Sequence, residues 1–590
     1  MFRDLQSVIG WLPRRERWRW LLLVPIAAMA AIVEAAGALA VFGLLRLVVD
    51  PDLVRTAPVV SRVWSLQPGD DPRPVVALLA LLVGGFYLLR AAFLSWVEWV
   101  RYGTTYRASA IAAERLVMRY LGADYLFHVR RRSASLIEPI ARAADIAYEL
   151  CAAAAVNILA EVVIIAALTI VLVASAPPVT IVTVALVMVV VLVPVVLLRR
   201  RWTQFGETER DLQQRQLHLL QQSLGAVKDV IVTGRQPFFE TQFRQVRRGL
   251  TSVKQLRAWS AACARLGVEA TLIVGMLLVV FLVMRGQRAG SDVVSVLALF
   301  AYTGFRVVPS ANRIMLNVGY MREAHPWVRG IDEDMRHLRE RPARGFEHLR
   351  PMLDRTLACE SVSYRYDDVG PLAIDQVSFT IHRGQSVGIV GPTGAGKSTL
   401  VDLLLGLLPP TSGRILVDDE PLEGRQRDWQ RQIGYVSQDV YLLDDSLRHN
   451  IAFGMAPAAI DEARLTEAVQ QARLGEVVAA LPNGLDTIVG ENGVRLSGGQ
   501  RQRVAIARAL YHDPPVLFFD EATAALDTQT ERDVTEAIAR VRGTRTVIAI
   551  AHRLSTVRNC DQLIYLRDGK VAGVGTYQEL MADPEFKRLT

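Results

Sequence analysis

Gly391-Pro392-Thr393-Gly394-Ala395-Gly396-Lys397-Ser398-Thr399 is the stretch that decides the fold of the C-terminal part of this 590-residue chain. It follows the apolar run Ser386 to Val390, which predicts a strand, and it leads into a helix-like run from Thr399 to Leu408. Glycines in such a loop let successive backbone N–H groups point at phosphate oxygens. We expect Lys397 to reach the outer phosphates of a nucleotide and Ser398 to hold magnesium. The expected nucleotide contacts in this loop are Gly391, Thr393, Gly394, Ala395, Gly396, Lys397, Ser398 and Thr399.

A second glycine-rich stretch, Leu496-Ser497-Gly498-Gly499-Gln500, lies well downstream of the first. It begins a predicted helix from Gln500 to Leu510, whose positive N-terminal end favours a phosphate oxygen. The residues expected to contact that phosphate are Ser497, Gly498, Gly499 and Gln500.

A third stretch, Val516-Leu517-Phe518-Phe519-Asp520-Glu521, predicts a buried strand that ends in two carboxylates. An open α/β sheet places its reacting groups at the carboxyl ends of its strands. Asp520 suits a magnesium ion there, and Glu521 suits a water molecule.

In this order, the three stretches resemble the ATP-binding cassette ATPases, whereas the first loop alone would fit many other NTPases. The resemblance implies that Gln438 helps to bind magnesium and the reacting phosphate, that His552 lies near the transferred phosphate, and that Tyr366 stacks on adenine. It also implies that Asp527 belongs to a loop at a dimer interface. The sequence departs from the family pattern at Ala524, where serine is usual. Each residue taken singly could be an ordinary turn or surface residue, but their combined order favours the cassette.

Phosphoryl transfer depends mainly on positioning and charge neutralisation, and this sets the expected catalytic roles. Glu521 would orient and deprotonate water, while Lys397 and Mg²⁺ offset charge on the phosphate of ATP. His552 and Gln438, together with the Ser497 stretch of a facing subunit, would complete the site. Since one copy supplies only half of each composite site, and no catalytic element is degenerate, we expect a homodimer.

The N-terminal half is much more apolar than a soluble domain requires, and the whole chain is 51% hydrophobic. It contains basic residues before the first apolar run, as a secretory signal does, but the length of that run and the later runs argue against cleavage. The six runs long enough to span a bilayer are Trp20 to Val49, Pro74 to Val100, Ile137 to Ala176, Val179 to Leu198, Ala258 to Met284 and Val293 to about Val308.

Basic residues flank alternate loops, which predicts that the N-terminus, Arg101 to Arg132 and Arg199 to Arg257 face the cytoplasm. The expected location is therefore the bacterial inner (plasma) membrane, with several spans and a cytoplasmic nucleotide-binding domain. The net charge of +8 comes from 67 basic and 59 acidic residues, and this modest excess beside the spans indicates contact with membrane lipids rather than nucleic acid. Four cysteines without metal-like spacing predict neither a disulfide nor a zinc site.

The predicted fold class is a membrane α-helical domain of six transmembrane helices with long intracellular extensions, fused to an α/β P-loop nucleotide-binding domain. We expect the membrane domain at 1–328, a linker at 329–355 and the cassette at 356–590. Exporters of the family carry a short transverse helix at each intracellular tip, and these would lie near Gly122 to Phe127 and Thr233 to Phe239. Plain solvated helical hairpins are the alternative.

Three arginines inside the predicted spans, Arg90, Arg265 and Arg306, are candidate substrate contacts. An arginine at mid-bilayer costs about 2.5–3.5 kcal/mol on insertion scales, so each should face protein or a water-filled cavity. Guanidinium groups suit a phosphate or pyrophosphate. The alternative is pairing within the membrane domain with Glu34, Glu98, Glu161 or Glu269. Glu269 lies one turn from Arg265, whereas Arg90 and Arg306 have no acid within one turn.

The segment Phe305 to Ile314 around Arg306 resembles the sixth span of the bacterial lipid-linked oligosaccharide flippases. That resemblance implies a polyprenyl-pyrophosphate-linked oligosaccharide that moves from the inner to the outer leaflet, and a short external helix within Leu53 to Trp64. A multidrug or lipid exporter of the same fold is the alternative. An ATP-gated channel or a signalling ATPase is a further one.

Overall fold

The computed structural model describes residues 2–49, 73–175, 177–285, 290–338, 353–367, 369–520, 543–550 and 557–588. The chain divides into two compact units. One comprises Met1–Ala123 and Phe127–Pro342, and the other comprises Asp124–Leu126 and Ala343–Thr590. The predicted external helix within Leu53 to Trp64 lies outside the described residues.

Long helices dominate the first unit, and each predicted span falls on one of them or on its direct extension. Among the described residues, three stretches are both long and apolar enough to cross a membrane, namely Arg14–Gly37, Pro74–Leu121 and Ser133–Ala167. The long helices, numbered here in chain order, are α1 (Arg14–Val49), α2 (Arg73–Leu121), α3 (Ala153–Ser175), α4 (Pro177–Gly225), α5 (Gln236–Arg285) and α6 (Gly290–His337).

Shorter helices precede or connect the long ones. Two π-helical segments directly precede α3, and π-helical turns occur frequently at functional sites. The short segments along residues 2–338 are Phe2–Gly10, Tyr125–Val129, Ser133–Glu138, the π-helix Pro139–Ala143, Ala144–Ile146, the π-helix Ala147–Ala152, and Val227–Val232.

The core of the first unit combines aromatic rings with alanines, which let helices approach closely. Tyr148 on the second π-segment is fully buried, as is Val8 of the N-terminal helix, whose carbonyl accepts the Tyr148 hydroxyl at 2.9 Å. Trp327 of α6 packs in the same cluster. A polar contact also joins the N-terminal helix to α6: His325 Nδ1 lies 3.0 Å from Oδ1 of Asp4.

Two boundaries differ from the sequence prediction. Helix α6 continues past residue 328 to His337, because Ile331 and Met335 remain buried against the same core as the preceding turns. The short helix at the second predicted tip is Val227–Val232, which precedes the predicted stretch Thr233 to Phe239. Gly234, with φ of 64°, then turns the chain into α5.

The second unit contains two sheets. A four-stranded antiparallel sheet has the order β2-β1-β4-β5, and a six-stranded sheet has the order β10-β9-β3-β8-β7-β6. The strands are β1 (Thr356–Tyr364), β2 (Ile374–His382), β3 (Ser386–Val390), β4 (Ser412–Val417), β5 (Glu420–Pro421), β6 (Ile433–Val436), β7 (Val516–Asp520), β8 (Thr546–Ile550), β9 (Gln562–Arg567) and β10 (Lys570–Gly575).

Parallel pairing sets the functional edge of the larger sheet. Strands β3, β8, β7 and β6 run parallel to one another, so their carboxyl ends meet at one edge. Apolar clusters cover both faces of this sheet, with Leu517 and Phe519 in one cluster and Val516 and Phe518 in the other. Burial on both faces explains why β7 reads as a continuous apolar run.

Two helices of this unit carry the glycine-rich stretches, α7 (Lys397–Leu404) and α8 (Gly498–Tyr511). Helix α7 ends earlier than the predicted Leu408 because Gly406 adopts φ of 65° just after it. The remaining described helices are Gln426–Gln430, Leu447–Ile451, Pro457–Ala459, Glu462–Gln471, Gly475–Ala480, Gly484–Asp486, Glu491–Gly493, Tyr577–Leu580 and Pro584–Lys587.

Candidate nucleotide-binding site

The loop between β3 and α7 requires glycine for steric reasons. Gly396 has φ of 93°, and a Cβ there would lie 2.6 Å from the carbonyl oxygen of Ala373. Gly391 has φ of 157°, and a Cβ would lie 2.3 Å from the carbonyl oxygen of Leu566. At these two positions the loop therefore presents backbone without a side chain, as close approach to phosphate groups demands.

Lys397 opens α7 and folds back over the loop. Its Nζ donates hydrogen bonds to the carbonyl oxygens of Gly391 and Pro392, both at 2.9 Å. The residue is only 6% exposed, so its ammonium is held at the mouth of the loop by backbone oxygens. A phosphate bound at the N-terminus of α7 would meet this charge directly.

The structure brings the predicted adenine-stacking residue to the loop. Tyr366 follows β1, and its hydroxyl lies 3.1 Å from Oγ1 of Thr399 in the first turn of α7. Tyr366 is 42% exposed, and its stacking on adenine remains a prediction.

The carboxyl ends of β6 and β7 carry the second part of the site. Asp520 is the last residue of β7, and Gln438 follows β6 two residues after its end. The hydroxyl of Tyr435 donates a hydrogen bond to Oδ2 of Asp520 at 3.2 Å. Burial and the neighbouring Asp520 carboxylate raise the pKa of Tyr435, which therefore remains a donor.

Sequence reasoning missed two residues at this edge, Tyr435 and Asp402. The signal for Tyr435 was a tyrosine in an otherwise apolar, strand-like run just before Gln438. The signal for Asp402 was a carboxylate inside an apolar helix that follows a phosphate loop. Burial, and then the charge of Asp520, raise the pKa of Asp402 to about 6.

The donor set at this edge fits magnesium. Ser398, Gln438 and Asp520 offer hydroxyl, amide and carboxylate oxygens, which are the ligand types that Mg²⁺ prefers. The ion, when bound, would neutralise charge on the phosphate oxygens.

A capping box shapes the second glycine-rich stretch. The Ser497 Oγ accepts a hydrogen bond from the Gln500 backbone N–H at 3.3 Å, and the Gln500 Oε1 accepts one from the Ser497 N–H at 2.9 Å. Helix α8 therefore begins at Gly498 rather than at the predicted Gln500. A Cβ on Gly498 would meet no atom within 4 Å, so its face of the helix end is open among the described residues.

Arg508 anchors α8 farther along. Its Nε donates to the carbonyl oxygen of Asn450 at 2.8 Å, and its Nη1 donates to that of Tyr441 at 2.9 Å. The guanidinium also lies over the ring of Phe453. These contacts tie the helix to the segment that follows Gln438.

Four residues of the resemblance lie outside the described residues, namely Glu521, Ala524, Asp527 and His552. Glu521 directly follows Asp520 at the end of β7, and His552 follows β8 by two residues. The roles of these residues remain predictions.

The three span arginines have different surroundings. Arg90 on α2 forms an ion pair with Glu34 on α1, with Nη2 and Oε1 separated by 3.3 Å. Arg265 on α5 is exposed, and none of the described ion pairs joins it to Glu269. Arg306 belongs to α6, but its side chain lies outside the described part of the structure.

Known protein families match both units. Residues 57–307 match the ABC transporter transmembrane region, and residues 374–524 match the ABC transporter ATP-binding family. A solved chain described as a bacterial Atm1-family ABC exporter with ATP bound superimposes with a TM-score of 0.79 at 26% identity, covering 97% of each chain. These matches confirm the predicted fold class.

Relatives with a named activity match only part of the chain. The ATP-dependent lipid A-core flippase of Ralstonia nicotianae is 47% identical over 227 residues, which are 38% of this chain and 38% of that protein. The protein of the same name from Burkholderia pseudomallei is 36% identical over 372 residues, 62% of this chain and 61% of the relative. The chain thus aligns with less than two thirds of the length of either relative. The joined transmembrane and ATP-binding regions nevertheless make this chain a multi-pass bacterial membrane protein with a cytoplasmic cassette, and it belongs to the ABC transporters.

Proposed function

We propose that the chain is half of an ATP-driven lipid flippase that moves an amphipathic lipid from the inner to the outer leaflet. The observation that carries this proposal is the joining of six long helices to a phosphate loop with a magnesium-type oxygen set. The activity named for the two bacterial relatives supports a lipid as cargo.

The finer proposal concerns the cargo, which we infer to be a polyprenyl-pyrophosphate-linked oligosaccharide. The sixth-span resemblance around Arg306 supports it, since guanidinium groups bind phosphate oxygens in a bidentate manner. Lipid A-core is the cargo in the names of the two relatives, so it is the competing lipid in this proposal. Arg306 is the strongest candidate contact. Arg265 is exposed. Arg90 would have to break its ion pair with Glu34 in order to bind a phosphate.

Hydrolysis would rest on positioning by the chain's own residues. Lys397 and the loop amides would hold the phosphates, and Tyr366 would hold the base. Glu521 would orient water and accept its proton, with His552 beside the transferred phosphate. Ser398, Gln438 and Asp520 would hold Mg²⁺.

The working assembly in this proposal is a homodimer. The Ser497 stretch forms the N-terminus of α8. Among the described residues, no atom lies within 4 Å of the position that a Cβ on Gly498 would take. A nucleotide held by the loop of one copy would be covered by this helix end of the other copy, so closure would depend on ATP.

A proteoliposome assay tests the proposal. A labelled polyprenyl-pyrophosphate oligosaccharide and a labelled lipid A-core would be followed separately between leaflets, with ATP or without it. Wild type should move the first lipid only with ATP, and Glu521→Gln should move neither. Arg306→Leu should hydrolyse ATP but fail to transport, whereas the charge-retaining control Arg306→Lys should keep partial transport.

Other outcomes would correct the proposal at different levels. Movement of lipid A-core alone would change the cargo. ATP hydrolysis stimulated by hydrophobic cations, with neither lipid moved, would indicate a multidrug exporter. An ATP-gated conductance without net transport would indicate a channel.

A further inference from the structure

A tyrosine at the sheet edge contacts the carboxylate that is expected to bind the metal ion. The Tyr435 hydroxyl lies 3.2 Å from Oδ2 of Asp520. The two residues are 85 positions apart in sequence, so only the sheet brings them together.

The strand register explains the contact. Strands β6 and β7 are parallel, and Tyr435 lies opposite Phe518. Because side chains alternate between faces, Phe518 and Asp520 point to the same side as Tyr435. A tyrosine is long enough to reach a diagonal neighbour two residues along the adjacent strand.

Tyr435 is less enclosed than the residues on either side of it in the strand. Its side chain is 41% exposed on the edge strand of the sheet, while its neighbours Gly434 and Val436 are buried.

We propose that Tyr435 is a positioning residue for the metal ion: its hydroxyl holds Oδ2 of Asp520 and so directs Oδ1 toward the metal or its bound water. Such an outer hydrogen bond fixes the orientation of a ligating carboxylate. This inference rests on the proposed nucleotide site and names a residue that the family resemblance does not assign.

A metal titration without turnover tests it. The purified full-length chain in lipid nanodiscs would be titrated with Mn²⁺ in the presence of a non-hydrolysable fluorescent ATP analogue. Nucleotide affinity would be measured both in EDTA and across the Mn²⁺ series. Tyr435→Phe keeps the ring and removes only the hydroxyl. Tyr441→Phe is the matched control, because Tyr441 is 62% exposed on the segment after Gln438.

The expected result is a rise of about tenfold in the Mn²⁺ midpoint for Tyr435→Phe, since loss of an outer ligand contact costs about 10- to 100-fold in metal affinity. Binding in EDTA should match wild type, and Tyr441→Phe should match wild type throughout. In an Asp520→Asn background, adding Tyr435→Phe should leave the midpoint unchanged, because the tyrosine acts through Asp520.

An unchanged midpoint in Tyr435→Phe would overturn the inference, as would equal weakening of binding with and without metal. A lower melting temperature with an unchanged midpoint would assign the hydroxyl to stability alone. If wild type bound no nucleotide, or bound it equally with and without Mn²⁺, the proposed function itself would fail.

Discussion

The guanidinium of Arg90 lies 3.3 Å from the carboxylate of Glu34, and this ion pair joins α2 to α1. Both side chains are largely enclosed, with 20% and 16% exposure. The Arg90 guanidinium also lies 5.1 Å from the Tyr87 ring, and the Tyr87 hydroxyl donates to the carbonyl oxygen of Gly37 at 3.2 Å. A charge inside a membrane span thus has a partner on another helix, which reduces the cost of its burial.

Loss of either partner should destabilise the membrane domain. Arg90→Met removes one ion-pair contact of the Glu34 carboxylate, and we expect the free energy of unfolding to fall by about 1–2 kcal/mol, below the 3–5 kcal/mol typical of fully buried pairs. The measurement is the thermal midpoint of the protein in nanodiscs.

The charge-swapped double variant Glu34→Arg with Arg90→Glu separates pairing from substrate binding. It should recover most of the thermal midpoint but not lipid transport, because a carboxylate at position 90 cannot bind phosphate. Recovery of both properties would assign Arg90 to helix pairing alone.

Glu521→Gln should bind ATP but barely hydrolyse it. The amide cannot accept a proton from water, and loss of a general base costs about 10²–10⁴-fold in rate. Phosphate release and binding of fluorescent ATP check the two properties on the same preparation. Normal turnover in this variant would remove Glu521 from the catalytic role.

Gly498→Ala tests the dimeric site. A Cβ there meets no atom of the described residues within 4 Å, so the thermal midpoint should not fall. ATP hydrolysis should fall by about 10- to 100-fold if the helix end faces a nucleotide held by a second copy, because small displacements at a reacting centre are costly.

Gly475→Ala is the matched control for this change. Gly475 also begins a helix, and within the part of the chain that the structure describes a Cβ added to it would likewise have no atom within 4 Å. Hydrolysis at the wild-type rate in both variants would contradict a second subunit at Gly498.

Asp402→Asn should stabilise the cassette above pH 6. Burial and the Asp520 charge raise the pKa of Asp402 to about 6 from the ordinary 3.8. Between these values the folded state holds a proton that the unfolded state releases. The free energy of unfolding therefore falls as pH rises from about 4 to 6. The gain in unfolding free energy should be about 1–2 kcal/mol at pH 7.5 and much smaller at pH 4.5.

Denaturation in EDTA at the two pH values measures this effect. Glu423→Gln, which neutralises an exposed carboxylate on the same domain, is the control. An equal change in both variants would contradict a raised pKa for the Asp402 carboxyl. So would a gain for Asp402→Asn at pH 4.5 that is as large as the gain at pH 7.5.

Local patterns were sufficient for much of the cassette. The phosphate loop, the strand ending at Asp520 and the helix after Ser497 could be predicted because each depends on short-range features: glycine conformations, continuous apolar runs and a capping sequence. Helix ends were less accurate, since Gly406 and the Ser497 capping box moved them by a few residues. The end of α6 also depended on burial of Ile331 and Met335, which a local pattern does not report.

The sequence by itself determined the family, the six apolar spans and the order of the nucleotide-binding motifs, because these follow from residue type and spacing along the chain. Only the tertiary structure decided which side chains face one another. Glu34 and Arg90 form an ion pair between two helices, and Tyr435 and Asp520 form a hydrogen bond between two strands. Helix packing and strand register bring these positions together although they are far apart in sequence. The raised pKa of Asp402 arises in the same way, since the burial and the neighbouring charge that cause it come from distant segments.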